Sequence, residues 1–396
     1  MANIQERSRQ DGTLAFLIRV TRGRDSNGKQ LKPFITTYIP DPSWTYKTAR
    51  KKAEAYAAIY EKSCKEGKAS DSKMRFSTYF DYVLELKEHN GVKHGTIVRY
   101  KELAERILPE IGHYKLQDIH TKDLNALVLK LSKAPNKKTG SPLSPKTVIE
   151  HHRLISTVLQ QAVKEGLIPF NPSNNVTLPK VSKPEVNYYQ PETISAITAA
   201  LNSEDIKWRT LVTFLMISGA RRGEILGLKW DRVNFDKNEI YICNNVVYTP
   251  DRGIYEETPK TKRSQRYISM PPETMSLLRA YRKYQIEKRM QYAQGYYEDN
   301  GFVFCQDNGK PLHPDSVNDF LRRFSQRHDL PHLNPHAFRH TMTSLLFFNG
   351  LDVVSISARL GHANVSTTEN AYAHVIESAN SRSADLLAQI YLKRVE

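Results

Sequence analysis

The stretch WRTLVTFLMISGARRGEILGL, residues 208–228, decides how the chain is read. Its first half is apolar on most sides (Leu211, Val212, Phe214, Leu215, Met216), the pattern of a helix inside a core. Ser218-Gly219 ends that helix, and Ala220-Arg221-Arg222-Gly223-Glu224 opens another. An Arg placed just after a Gly break can turn inward beneath the new helix N-terminus. There its charge adds to backbone N–H donors and makes an anion site. By itself such a run is equally a surface ion pair.

The surrounding composition gives the anion reading weight. Among 396 residues, 58 are Lys or Arg and 42 Asp or Glu, a formal charge of +16. A surplus of that size fits a polyanionic partner, nucleic acid or an acidic membrane face. The longest apolar runs, near 211–217 and 345–348, fall far short of the roughly 20 residues that span a bilayer. The polar start MANIQERSRQDG predicts no secretory signal. Cys64, Cys243 and Cys305 are too few and too scattered for a disulfide framework or a thiolate zinc site, and suit a reducing cytoplasm.

Downstream of the Arg run, Glu239–Tyr248 and Gln265–Met270 read as strands of a small sheet, joined through a basic turn, Thr258-Pro259-Lys260-Thr261-Lys262-Arg263-Ser264. A turn like this is either solvated decoration or a device for placing an ammonium group in a DNA groove. Asn334-Pro335-His336-Ala337-Phe338-Arg339-His340 starts a helix at Pro335, with His336 and Arg339 on one face. His336 and His340 are four apart, but Ala337 stands where a metalloprotease helix needs Glu and no third ligand is evident, so no metal is expected. Leu360-Gly361-His362 and Ala371-Tyr372-Ala373-His374-Val375 follow.

Upstream, Leu14, Phe16, Ile18 and Val20 alternate as a strand, Asn27-Gly28 marks a hairpin turn, and Lys32–Ile39 a second strand. Thr45 caps a helix with the face Ala49, Ala53, Tyr56, Ala57 and Tyr60. Residues 1–70 hold 14 Lys and Arg against 7 Asp and Glu, as a β-ribbon reader of the major groove would. After the polar stretch Lys65–Lys73 come four helices, led by Phe76, Thr96, Thr121 and Ser144-Pro145, the last running to Gly166. A Pro- and Asn-rich boundary from Asn171 to Pro184 precedes the Arg run.

The fixed order Arg, Lys, His-x-x-Arg, Gly-His, Tyr resembles the tyrosine recombinase (phage integrase) family. Taken with the basic front, it looks like the integrases of conjugative transposons. The resemblance implies an α+β, multidomain fold. A small three-stranded sheet plus helix would bind arm DNA (1–66), a helical bundle would bind core DNA (74–178), and a mainly α domain with a small antiparallel sheet would carry catalysis (185–396).

It also implies roles: Arg221 and Arg339 as phosphate clamp, Lys260 as general acid, His336 as general base, His362 as a phosphate hydrogen-bond donor, Tyr372 as nucleophile and Glu224 as the brace of Arg221. Lys262 is close enough to compete with Lys260. Arg19, Arg22, Lys32, Lys93, Lys137, Lys262 and Arg263 are the candidate DNA contacts. The chemistry is self-consistent. A phosphotyrosine conserves the energy of the broken phosphodiester, and two guanidiniums can neutralise the pentacoordinate transition state in place of a metal. A phenol with pKa near 10 needs a base.

No cofactor is expected. The implied partners are double-stranded attachment sites of core and arm type, three further copies in a homotetramer on DNA, an excisionase and a host DNA-bending protein, in the bacterial cytoplasm at the nucleoid. Two other readings remain: a type IB topoisomerase with the same polar set, and a basic DNA-binding regulator without chemistry.

Overall fold

The computed structural model describes residues 2–8, 13–21, 23, 33–41, 44–65, 74–181, 188–258, 264–292, 296–362, 364–366, 368–369 and 372. The chain divides into two compact units at Lys183/Pro184.

The first unit opens with an antiparallel sheet of three strands in the order β1 (Asn3–Ser8), β2 (Leu14–Val20), β3 (Phe34–Tyr38). Gln5 lies opposite Leu17 and Ile18 opposite Thr36. Strand β1 has only one apolar residue, Ile4, and was not expected from the residues themselves. It pairs along β2 and stays largely exposed, so sheet hydrogen bonds rather than side-chain burial hold it. In β2 both alternating sets are buried (Ala15 and Leu17 as well as Phe16 and Ile18), which is why its periodicity is blurred. Helix α1 (Tyr46–Lys65) packs Ala49 and Ala53 on Phe16; of its expected face Tyr56 is exposed. The turn at Asn27-Gly28 lies outside the described residues.

A separate core joins α2 (Phe76–His89), α3 (His94–Ile111), α4 (Thr121–Lys133) and α5 (Pro145–Lys164). Phe76, Phe80, Ile107, Leu124, Val158 and Leu159 fill it. Ser144 caps α5 by accepting from the Thr147 amide at 3.2 Å, with Pro145 at the first helical position. Gly166, at φ 71°, ends the segment in a conformation that side chains with a Cβ resist.

The second unit is built around α7 (Ile206–Ser218), where Leu211, Val212, Phe214 and Leu215 are fully buried, as the apolar run requires. It follows α6 (Pro191–Leu201) and leads into α8 (Arg222–Leu226). Three short strands form one antiparallel sheet, in the order β4 (Val233–Asn234), β5 (Glu239–Ile242), β8 (Arg266–Ser269). Between β5 and β8, β6 (Asn245–Thr249) and β7 (Gly253–Glu257) make a hairpin of their own.

The single strand expected over Glu239–Tyr248 is therefore two, broken at Cys243-Asn244, and the basic turn joins β7 to β8. The break follows from α8. A Cβ on Gly227 would lie 2.9–3.0 Å from the Asn244 carbonyl, and one on Gly223 would lie 2.2 Å from Asn245 Oδ1. The two glycines let α8 sit against this backbone.

Helices α9 (Pro272–Met290) and α10 (Pro314–Arg327) complete the core through Leu278 and Phe324. Helix α11 (Pro335–Phe348) starts as expected, with the Asn334 side chain accepting from the Ala337 amide at 2.9 Å. Helix α12 (Val353–Leu360) is capped by Asp352 and ends at Gly361, φ 68°.

Gly219 carries the sharpest constraint, because its φ is 64° and an added Cβ would lie 1.9 Å from the Met342 methyl. Gly253, at φ 68°, has open space around it. The left-handed backbone alone costs roughly 1–2 kcal/mol for Ala. Thermal melts should therefore show Gly219→Ala well below Gly253→Ala, with the latter losing only that backbone amount; equal losses would deny the Met342 contact.

Candidate active site

Arg221 occupies the entrance of α8, extended at φ −69° and ψ 151°, with its side chain 44 % exposed. Glu224, one turn in, is 4 % exposed and meets Arg221 twice: Oε2 accepts from the Arg221 amide at 3.0 Å, and Oε1 from Arg221 Nη1 at 2.8 Å. The brace expected of Glu224 is present as geometry. Burial pushes the Glu224 carboxyl up, but the Arg266 charge, the Arg221 amide and the Arg221 charge outweigh it, and the net shift is down.

Arg339 lies beneath, buried. Its Nη1 donates to the Gly219 carbonyl at 2.7 Å, and its Nη2 donates to the Leu360 carbonyl at 2.9 Å and approaches His362 Nε2 at 2.9 Å. One guanidinium thus ties the break before α8 to the end of α12, and part of its five-donor fork is left for an anion. Burial and the Arg221 charge press its pKa down to about 9, so it stays charged at neutral pH.

With Arg339 as donor, His362 Nε2 accepts, and its Nδ1 lies 2.7 Å from Thr368 Oγ1. Burial, Arg339 and Arg221 lower His362 to about 4, so the ring is neutral and its proton belongs on Nδ1. In this arrangement His362 receives a hydrogen bond at Nε2 rather than offering one to phosphate, which differs from the donor role expected of it.

Tyr372 is 2 % exposed, among Met342, Phe347, Ile356 and Leu360. Its Oη lies 2.5 Å from His340 Nδ1. The partner of the phenol is therefore His340, where the sequence reading gave that place to His336; His336 meets His340 edge-on, ring centroids 5.2 Å apart. The reason is helical spacing. His340 is one turn further along α11, over the layer that receives Tyr372, while His336 opens to solvent near Arg221. Burial, His336 and Arg339 lower His340 to about 4, so this imidazole is neutral; burial raises the Tyr372 phenol, against Thr343 and Arg339. Partial burial and the charges of Arg339 and Arg221 also lower His336.

The expected residues thus fall into two groups. Arg221 is hydrogen-bonded to Glu224 and Arg339 to His362, and Tyr372 meets the helix that carries Arg339 through His340. Lys260, Lys262 and Arg263 lie outside the described residues, as do Arg22 and Lys32, and so does the run 384–392, whose Ala384, Leu386, Leu387, Ile390, Tyr391 and Leu392 read in the sequence as an amphipathic helix. Arg19 is exposed on β2, Lys93 precedes α3, and Lys137 is in an exposed ion pair with Glu105 at 2.6 Å. Sequence reasoning missed His340, for which the i, i+4 spacing was a signal, and Arg266 and Thr368, for which nothing was.

Two family models match the chain: the phage integrase family over residues 187–378, and the phage integrase N-terminal SAM-like domain over 75–132. The chain belongs to the tyrosine recombinase (phage integrase) family. It is a site-specific DNA recombinase, an enzyme that breaks and rejoins DNA.

This recombinase is 26 % identical to a XerC-like tyrosine recombinase of Caldanaerobacter subterraneus, over 96 % of this chain and 98 % of that one. The Tn1549 transposon integrase in complex with transposon right end DNA shares its fold at TM-score 0.66 and 23 % identity, over 79 % of this chain and 99 % of that one. A lambda integrase tetramer bound to a Holliday junction matches at TM-score 0.55 and 15 % identity, over 91 % and 95 %. Among the described residues no helix is long and apolar enough to cross a membrane, and no three His, Cys, Asp or Glu side chains cluster as metal ligands.

His340 and His362, near 4 in the fold against about 6.5 unfolded, take protons in the unfolded chain first. Their stability contribution is whole above pH 6.5 and is lost as pH falls toward 4. The melting temperature of the second unit's transition should drop across that window, and less steeply in His340→Asn and His362→Asn; unchanged slopes would contradict the burial of these rings.

Proposed function

We propose that this recombinase is the integrase of a mobile element, cutting attachment-site DNA through Tyr372 in a 3′-phosphotyrosyl intermediate. The phenol oxygen attacks the scissile phosphorus, the 5′-oxygen leaves with a proton, and the same linkage is later attacked by the 5′-hydroxyl of the partner strand. Bond types are conserved, so no nucleotide is hydrolysed.

The observation that carries the reading is the pairing of Arg221, open to solvent, with buried Arg339 at the mouth of one helix, braced by Glu224. Two fixed guanidiniums supply the charge that metal ions supply in other nucleases. His340 holds the phenol in the state described and, neutral, is able to accept its proton; His336 stands beside it as a second neutral acceptor. Lys260 in the basic turn is the candidate donor to the 5′-oxygen, with Lys262 its alternative.

The basic front sheet suits arm sites and the four-helix core suits the flank of the cleavage site. A tetramer passing through a Holliday junction is supported by the likeness to the lambda integrase assembly. An excisionase, a host bending protein and a nucleoid location belong to the same reading. So does docking of the 384–392 run on a neighbouring copy, which an apolar groove beside Met216, Ile217, Met270 and Leu345 would suit.

A nicked suicide duplex carrying the joined ends of the element that encodes the chain tests this. The full-length protein should trap a covalent adduct, with or without a chelator, and Tyr372→Phe should bind the duplex and form none. A strict Mg²⁺ requirement, or an adduct surviving in Tyr372→Phe, would refute the mechanism. Loss of Arg339 as Arg339→Met should slow the adduct by about 10²–10³-fold, the usual cost of removing one transition-state charge donor.

A further inference from the structure

Behind the site, and absent from any role given so far, lies a third arginine. Arg266 is the first residue of β8, immediately after the basic turn, and its side chain is 7 % exposed. Its guanidinium bonds in three directions. Nη2 donates to Glu224 Oε2 at 3.0 Å, Nε to the Arg359 carbonyl at 2.6 Å, and Nη1 to the Ser264 carbonyl at 3.0 Å. Those acceptors belong to three different segments: the helix led by Arg221, the end of α12 just before His362, and the exit of the turn that carries Lys260.

The site is shaped for this side chain. Gly361 has φ 68°, and a Cβ there would lie 2.8 Å from Arg266 Nη1 and 3.1 Å from its Cδ. The clasp is also reciprocal, because Arg359 on α12 sends Nη1 back to the Ser269 carbonyl of β8 at 3.2 Å and Nη2 to the Ile217 carbonyl of α7 at 3.0 Å.

We propose that Arg266 is a positioning residue for strand cleavage. It holds the Glu224 carboxylate that aims Arg221, and it fixes the root of the Lys260 turn against the end of α12. The inference rests on the phosphotyrosyl reading above. Arg266 touches no reacting atom in it; it acts through Glu224 and through the two carbonyls.

A purely structural arginine and a positioning one differ in their pH signature. Glu224 is faced by Arg221 on its own helix, Arg266 from β8, Arg339 from α11 and His362 beyond α12. Burial favours its protonated form, and Arg266 provides the leading opposing charge. Without Arg266 the carboxyl gains a proton at higher pH, and Arg221 loses its charged brace there.

The test follows adduct formation by the full-length chain on the nicked suicide duplex from pH 5.5 to 9, with duplex affinity and melting temperature alongside. Arg266→Met should slow the adduct by about 10–100-fold at neutral pH, the scale of a small misplacement of a reacting group, at duplex affinity close to that of the unsubstituted chain. The deficit should widen as pH falls, and adding Glu224→Gln should remove that widening. A deficit equal at every pH, or one matched by lost affinity, overturns the proposal. If Arg266→Met does not fold, Arg266→Lys decides. Keeping the charge without the fork, it should keep the unsubstituted pH profile at a several-fold lower rate, and full rate overturns the proposal. No adduct from the unsubstituted chain would instead sink the phosphotyrosyl reading itself, and the proposal with it.

Discussion

The buried guanidinium of Arg339 is the point on which the second unit turns. A charge this far from water is tolerated only where hydrogen bonds replace most of its hydration. Here the partners are the carbonyls of Gly219 and Leu360 and the ring of His362, all of them at helix ends. The bonds fix where α7 stops, where α12 stops and which tautomer His362 adopts. The residue proposed to clamp phosphate is thereby the residue that assembles its own surroundings. Arg339→Lys would be no conservative change, since an ammonium lacks the planar fork that reaches three acceptors in different directions.

A second layer of charge lies outside the first. Glu224 takes bonds from Arg221 and Arg266, and Arg359 and Arg266 stitch β8 to α12 and α7. Four arginines with one carboxylate among them leave a strong positive excess in a small volume. In the free protein that excess is costly, and under the proposed function an entering phosphodiester would relieve it. Favourable duplex binding and organisation of the clamp are in this sense the same event.

Much of this was legible in the residues, for physical reasons. Helix starts marked by Ser144-Pro145 and Asn334-Pro335 were readable because caps act over one turn and need no tertiary partner. The apolar run of α7 announced a core helix because Leu211, Val212, Phe214 and Leu215 are buried and none of its residues is fully exposed. Helix α10 carries an equally clear signal, Val317, Phe320, Leu321 and Phe324 at helical spacing, that went unread. Strand β1 had no signal to give, since its stability comes from pairing with β2. The break between β5 and β6 was hidden because its cause, the close approach of Gly223 and Gly227, lies outside the strand. At the site, the order of polar residues pointed to Arg221, Arg339, His362 and Tyr372 but not to who bonds whom. Choosing His340 over His336 for the phenol requires knowing which side of α11 faces the Tyr372 layer. Arg266 was invisible for the same reason, being one basic residue among many until the chain closes around it.

The concealed phenol has a consequence for the cell as well as for the reaction. A recombinase with a +16 surplus is drawn by phosphate charge to DNA of any sequence, not only to its target. An exposed activated tyrosine would leave nicks and stranded protein adducts wherever it paused. With its hydroxyl on His340 and its ring under Phe347, Tyr372 travels sheathed. Under the proposed role of Tyr372, the search for a site is separated from cutting by packing as well as by sequence recognition.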